Sequence, residues 1–100
     1  MGNNWNIPDW LEEKIRKRDK TCVFCHVEFK DNSCDRATWE HLDNDERNIC
    51  EENITLCCHS CNASKGSKKL FEWIKSDYCR KKDINEATLA NIVKNKLIVF

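Results

Sequence analysis

Residues 53–65 read Asn53-Ile54-Thr55-Leu56-Cys57-Cys58-His59-Ser60-Cys61-Asn62-Ala63-Ser64-Lys65. The first five, Asn53 to Cys57, are an apolar run of strand composition. Cys58 and Cys61 then form a C-x2-C pair, and upstream Cys22-Val23-Phe24-Cys25 is a second one. Each pair can set two thiolates on one tetrahedral ion, so Cys22, Cys25, Cys58 and Cys61 predict a four-cysteine structural Zn²⁺ site. His26 and His59 flank the pairs and are alternative ligands, although four thiolates already complete the shell. A thioredoxin-like redox motif would need one pair in a βαβ setting. A disulfide framework would need an oxidising compartment.

The chain has 100 residues, enough for one small domain, and eight cysteines. The start, Met1-Gly2-Asn3-Asn4-Trp5-Asn6, has neither a basic n-region nor an apolar h-region. Asn6 also stands where a myristoylation signal wants Ser or Thr. No stretch approaches the roughly 20 apolar residues of a membrane span. These features predict an intracellular protein in a reducing compartment such as the cytoplasm, with no membrane partner. Cys34, Cys50, Cys57 and Cys79 are expected to be small buried hydrophobes. Two glycines, one proline and dispersed apolar residues exclude a disordered linker, and no internal repeat is visible.

Formal charge is zero, but it is unevenly spread. Residues 31–53 hold eight acids against Arg36 and Arg47, whereas residues 62–82 hold seven bases against Glu72 and Asp77. This asymmetry suits either a metal-dependent enzyme on a polyanion or two solvated faces that attract each other.

Working outward, Pro8 followed by Asp9, Glu12 and Glu13, with Lys14, Arg16, Lys17 and Arg18 later, predicts a helix over 8–18. Its apolar face would be Ile7, Trp10, Leu11 and Ile15. Residues 36–42 and 53–57 predict two short strands joined by the acidic stretch 43–52. Leu70, Phe71, Ile74 and Tyr78 predict a helix after Cys61, with Gly66 near its start. Asn85 predicts the N-cap of a last helix carrying Ala87, Leu89, Ile92 and Val93, followed by an apolar tail, 97–100. The result is an α+β fold: a β-hairpin and a helix clamped at the base by zinc. Residues 22–79 form the core, with helical flanks at 1–21 and 80–100.

Thirty-two residues separate Cys25 from Cys58, against about 15–20 in a simple zinc ribbon. The residues built into that gap carry a family pattern. Glu40-His41, then Asn53, then Cys58-x-x-Cys61-Asn62-x-x-Lys65, resemble the HNH endonucleases of the ββα-metal nuclease superfamily. The resemblance covers about residues 22–66. It departs from many members in having Glu40 where they have Asp, and Asn62 where some have His.

The resemblance implies a ββα-metal domain that hydrolyses DNA phosphodiester bonds by a one-metal mechanism, as an endonuclease or nickase. His41 would be the general base, since an imidazole of ordinary pKa near 6.5 accepts a proton at neutral pH. Glu40 and Asn62 would hold a catalytic Mg²⁺, Mn²⁺ or similar ion, with Asp43 and Asp45 as rival ligands. Asn53 would tie the loop to the strand and orient the base. Lys65, one helical turn beyond Asn62, is a candidate phosphate contact, as are Lys68 and Lys69; Arg80, Lys81 and Lys82 could grip the backbone further out. DNA is the expected partner, with a homodimer or partner protein as a further possibility. The alternative is a non-catalytic, zinc-stapled nucleic-acid-binding module.

Overall fold

The computed structural model describes residues 5–99, and side chains over 5–97. The elements are α1 (Asp9–Arg18), β1 (Ala37–His41), β2 (Ile54–Cys58), α2 (His59–Lys65), α3 (Leu70–Trp73), α4 (Asp77–Lys81) and α5 (Asn91–Val99). No helix among the described residues is long and apolar enough to cross a membrane.

β1 and β2 pair antiparallel, with Trp39 opposite Leu56, Glu40 opposite Thr55 and His41 opposite Ile54. A two-stranded hairpin is marginal by itself in water, and here both faces of β2 are covered. Ile54 and Leu56 meet Ile7, Leu11 and Ile15 from the α1 side. Cys57 and Cys58 belong to the second core, with Phe24, Leu42, Leu70 and Trp73.

α1 follows the sequence closely. Pro8 is its N-cap, Asp9 and Glu12 lie in the first turn, and Arg16, Lys17 and Arg18 close the last. Trp10 is the exception: it is 66% exposed, because Leu11 and Ile15 fill the contact with β2. After α1, Asp19 Oδ2 accepts the backbone N–H of Leu56 at 3.1 Å, and Arg18 donates to the carbonyls of Glu51 and Ile54 at 2.7 Å. The N-terminal flank is thus bonded to the hairpin rather than merely adjacent to it.

The single helix expected after Cys61 is three short ones. α2 stops because Gly66 takes φ 52°, a backbone conformation that L side chains resist. α4 restarts at Ser76, whose Oγ accepts the N–H of Cys79 at 3.3 Å. The breaks fold Leu70, Trp73, Ile74, Tyr78 and Cys79 into the core that holds the paired cysteines instead of extending them along one axis. Likewise Asn85 does not start the last helix. Its Oδ1 accepts the N–H of Ala87 at 2.9 Å in an isolated turn, and α5 begins at Asn91. Phe100 of the expected apolar tail lies outside the described residues, while Leu97 packs against the second core.

Candidate metal centres and catalytic cleft

Cys22, Cys25, Cys58 and Cys61 converge, with all four Sγ atoms within 4.8 Å of one another. Cys25 and Cys58 stand 3.7 Å apart. A tetrahedral zinc with Zn–S bonds of about 2.3 Å puts its sulfurs about 3.8 Å apart, so the cage has the right size. All eight cysteines are free thiols in this structure. The backbone N–H of Cys25 donates to Cys22 Sγ, and that of Cys61 to Cys58 Sγ, each at 3.5 Å. Tyr78 O–H donates to Cys61 Sγ at 3.2 Å, which connects α4 to the cage. Such outer bonds hold ligand sulfurs in place.

The histidines beside the knuckles are engaged elsewhere. His59 Nδ1 meets Arg36 Nη2 at 3.1 Å, and His26 Nε2 meets the Thr88 carbonyl. Of the other cysteines, Cys57 and Cys79 are buried as expected. Burial, the largest influence on Cys57, pushes its thiol up, consistent with a packing role. Cys34 is exposed and Cys50 half-buried, because both sit on loops outside the two cores.

A separate cleft of about 220 Å³ gathers Glu40, His41, Asn62, Trp5, Trp39 and Asn44. Its groups come from the end of β1, the middle of α2, the loop between the strands and the segment before α1. Asn62 Nδ2 donates to Thr38 Oγ1 at 2.9 Å and to the Trp39 carbonyl at 3.2 Å. The carbonyl can only accept, so the amide is fixed with its nitrogen inward. Oδ1 is left for a ligand.

Glu40 lines the same cleft and is buried. Its Oε2 lies 3.3 Å from Lys65 Nζ, an ion pair without hydrogen-bond geometry, so the atom has no hydrogen-bond partner. Burial raises the Glu40 carboxyl above its ordinary range, and the Lys65 charge opposes that rise. A buried carboxylate and an amide oxygen lining one cleft are the oxygen donors that a hard divalent cation takes. The rival ligands Asp43 and Asp45 are engaged in their own loop. Asp43 accepts from Asn48 Nδ2 and the Asp45 N–H, and Asp45 pairs with Arg47.

His41 is buried, and Nε2 has no hydrogen-bond partner. The Trp5 ring stands edge-on to it at 5.3 Å. Burial, more than the charges of Asp43, Glu46 and Asp45, sets its pKa below the ordinary histidine value. The imidazole is therefore neutral near pH 7 and able to accept a proton.

Asn53 is fully buried, one residue before β2. Its Oδ1 accepts the Asp43 N–H and its Nδ2 donates to the Asn48 carbonyl, each at 3.0 Å, while its own carbonyl accepts from Leu42 N–H at 2.9 Å. These three bonds tie the acidic loop to the hairpin immediately after His41. Asn53→Ala should cost about 2 kcal/mol by removing two hydrogen bonds from a fully buried side chain to half-buried backbone groups. In urea unfolding that would lower the midpoint, whereas an unchanged midpoint would remove Asn53 from this role.

Lys65 departs from the expectation of a surface phosphate contact. It is 0% exposed, and besides Glu40 its Nζ donates to Asn44 Oδ1 at 2.8 Å. Lys65 closes the last turn of α2, which packs against β1 and β2, and its side chain is enclosed there. Lys68 and Lys69 remain exposed on the connector to α3. Lys65→Met should destabilise the fold by about 3 kcal/mol, because Glu40 would be left as an unpaired buried charge. Adding Glu40→Gln should return much of that loss. A double variant no more stable than Lys65→Met would contradict the pairing.

Asn44 carries no periodic signal, yet it joins the parts of the site. At φ 62°, a left-handed conformation asparagine tolerates, it accepts from Lys65 and donates to the carbonyls of Ser67 and Lys68 at 3.0 and 3.1 Å. Thr38 and Trp5 were equally silent in the sequence, since neither belongs to a spacing pattern.

No model of a known protein family matches the chain. No solved structure matches it either. The chain is 32% identical over 71 residues to a probable HNH endonuclease of Lactococcus phage SK1, across 64% of this chain and 76% of that protein. With that share of the relative covered, and with the paired cysteines and the Glu40–His41–Asn62 cleft in place, the chain belongs to the HNH endonuclease family.

Proposed function

We propose that the protein is a metal-dependent DNA endonuclease or nickase, with His41 as general base and Glu40 and Asn62 as holders of a catalytic Mg²⁺ or Mn²⁺. The observation that carries this reading is the convergence of His41, Glu40 and Asn62 on one cleft, with His41 Nε2 and Glu40 Oε2 both buried and without hydrogen-bond partners. Buried polar atoms in native proteins are nearly always satisfied, so the unpartnered His41 Nε2, in the same cleft as a carboxylate whose Oε2 has only the Lys65 ion pair, points to groups that enter the cleft.

Each side chain then has a task. The neutral His41 imidazole accepts a proton from the attacking water. Asn53 fixes the chain on which His41 sits. Lys65 holds one side of Glu40, and Thr38 and the Trp39 carbonyl orient Asn62. A divalent ion bound between Glu40 and Asn62 would polarise the phosphate and offset charge on the departing oxygen. Zinc held by Cys22, Cys25, Cys58 and Cys61 would have a closed shell and would serve the fold alone. Lys68 and Lys69, exposed beside the cleft, would contact the DNA backbone and position it without reading sequence.

The test is plasmid nicking by zinc-loaded protein with Mg²⁺ or Mn²⁺ added or omitted. Omission is preferable to a chelator, which would also attack the zinc. Cleavage only with the added ion supports the reading, and the nicked or linear product reports whether one or two strands are cut. DNA binding with no cleavage under either condition would favour the zinc-stapled binding module.

A further inference from the structure

A second cavity, of about 320 Å³, adjoins the catalytic cleft across Asn44, which lines both. Leu42 and Leu70 form a buried apolar floor, Asp43 forms part of the wall, and Phe71 and Lys69 stand at the exposed side. Phe71 is 42% exposed although α3 has core positions at Leu70 and Trp73 for its other large side chains. Lys69 is exposed and enters none of the ion pairs among the described residues.

We propose that this cavity is a nucleotide subsite: it receives one unstacked base of the DNA strand next to the phosphate being cut, stacked on Phe71, with Lys69 on that nucleotide's phosphate. The inference rests on the nuclease reading of the neighbouring cleft and extends it to how the substrate is held. Three features choose this occupant. The apolar floor and aromatic edge offer a flat, uncharged ring a stacking partner, a contact that tolerates any base. The Asp43 carboxylate in the wall repels a phosphate from the interior, so the anionic part of the nucleotide belongs at the rim, where Lys69 is. Continuity through Asn44 puts the cavity on the path of a strand whose phosphate lies against Glu40, His41 and Asn62.

The proposal is tested by the affinity of zinc-loaded protein for DNA oligonucleotides, measured by fluorescence anisotropy alongside cleavage. Phe71→Ala should weaken binding about tenfold, within the range of one base stacked on an aromatic. Phe71→Trp should restore it. In a series of oligonucleotides each lacking one base, a single position should weaken the wild type by a similar factor. At that position Phe71→Ala should add nothing further. Equal affinity of Phe71→Ala and wild type, or losses from the two changes that simply add at every position, would overturn the subsite. Binding with the Phe71 effect but without cleavage under any metal condition would sink the nuclease reading and leave the subsite standing. Absence of DNA binding by the wild type would overturn both. Zinc content and thermal midpoint of each variant confirm that the exposed substitution has not unfolded the chain.

Discussion

Cys58→Ser is expected to abolish the cooperative thermal transition of the protein. Cys58 joins the two halves of the molecule: it ends β2, caps α2 through its Sγ, and lies 3.7 Å from Cys25 across the cage. Residues 22–25 and 58–61 meet there, and Tyr78 of α4 bonds to the same cluster. The rest of the fold offers a two-stranded sheet and five short helices around two small cores. Structural zinc contributes about 10–16 kcal/mol to small zinc domains, whereas whole proteins of this class are stable by about 5–15 kcal/mol. With zinc in the four-cysteine cage, losing the ion would therefore exceed what the cores can supply. Circular dichroism on heating, with zinc measured in the same sample, checks this. Wild-type melting of a Cys58→Ser protein free of zinc would contradict a structural metal.

His41→Ala should lower DNA cleavage by about 10²–10⁴-fold, the usual contribution of a positioned general base. The fold should survive, since the change opens a small space beside Trp5 and leaves Asn53, Lys65 and the zinc cage untouched. DNA affinity should change little, because the proposed function gives the phosphate contacts to the exposed lysines and not to the imidazole. Cleavage reduced less than tenfold in a folded variant would assign the proton transfer to another group.

The parts of this molecule set by short-range spacing were readable in advance. The two C-x2-C pairs did assemble, α1 begins and ends where its charges and Pro8 indicate, and both strands lie within a residue of the apolar runs. Adjacent ligands on a turn and capping residues act locally, so the sequence shows them directly. What tertiary packing decides was hidden. Leu70, Phe71, Ile74 and Tyr78 have helical spacing, but Gly66 and Ser76 break the segment so that it wraps the zinc cage. Lys65 has the spacing of a surface phosphate ligand, and only the approach of Glu40 and Asn44 from distant loops makes it a buried counter-ion. Trp10 has the period of a core residue on a helix whose contact is already filled. Glu40, His41 and Asn62 of the cleft, and the buried Asn53 outside its lining, follow a family pattern, whereas Asn44 and Thr38 act through long-range hydrogen bonds that leave no pattern in the sequence.

The most direct measurement is cleavage of supercoiled plasmid by wild type and His41→Ala side by side. Both would be loaded with equal zinc and matched for thermal midpoint, with Mg²⁺ or Mn²⁺ present or omitted. The expected result is nicked or linear product from the wild type with the added ion, and almost none from the wild type without it or from His41→Ala. Cleavage by His41→Ala at the wild-type rate, or wild-type cleavage indifferent to the added ion, would contradict the catalytic assignment of the Glu40–His41–Asn62 cleft.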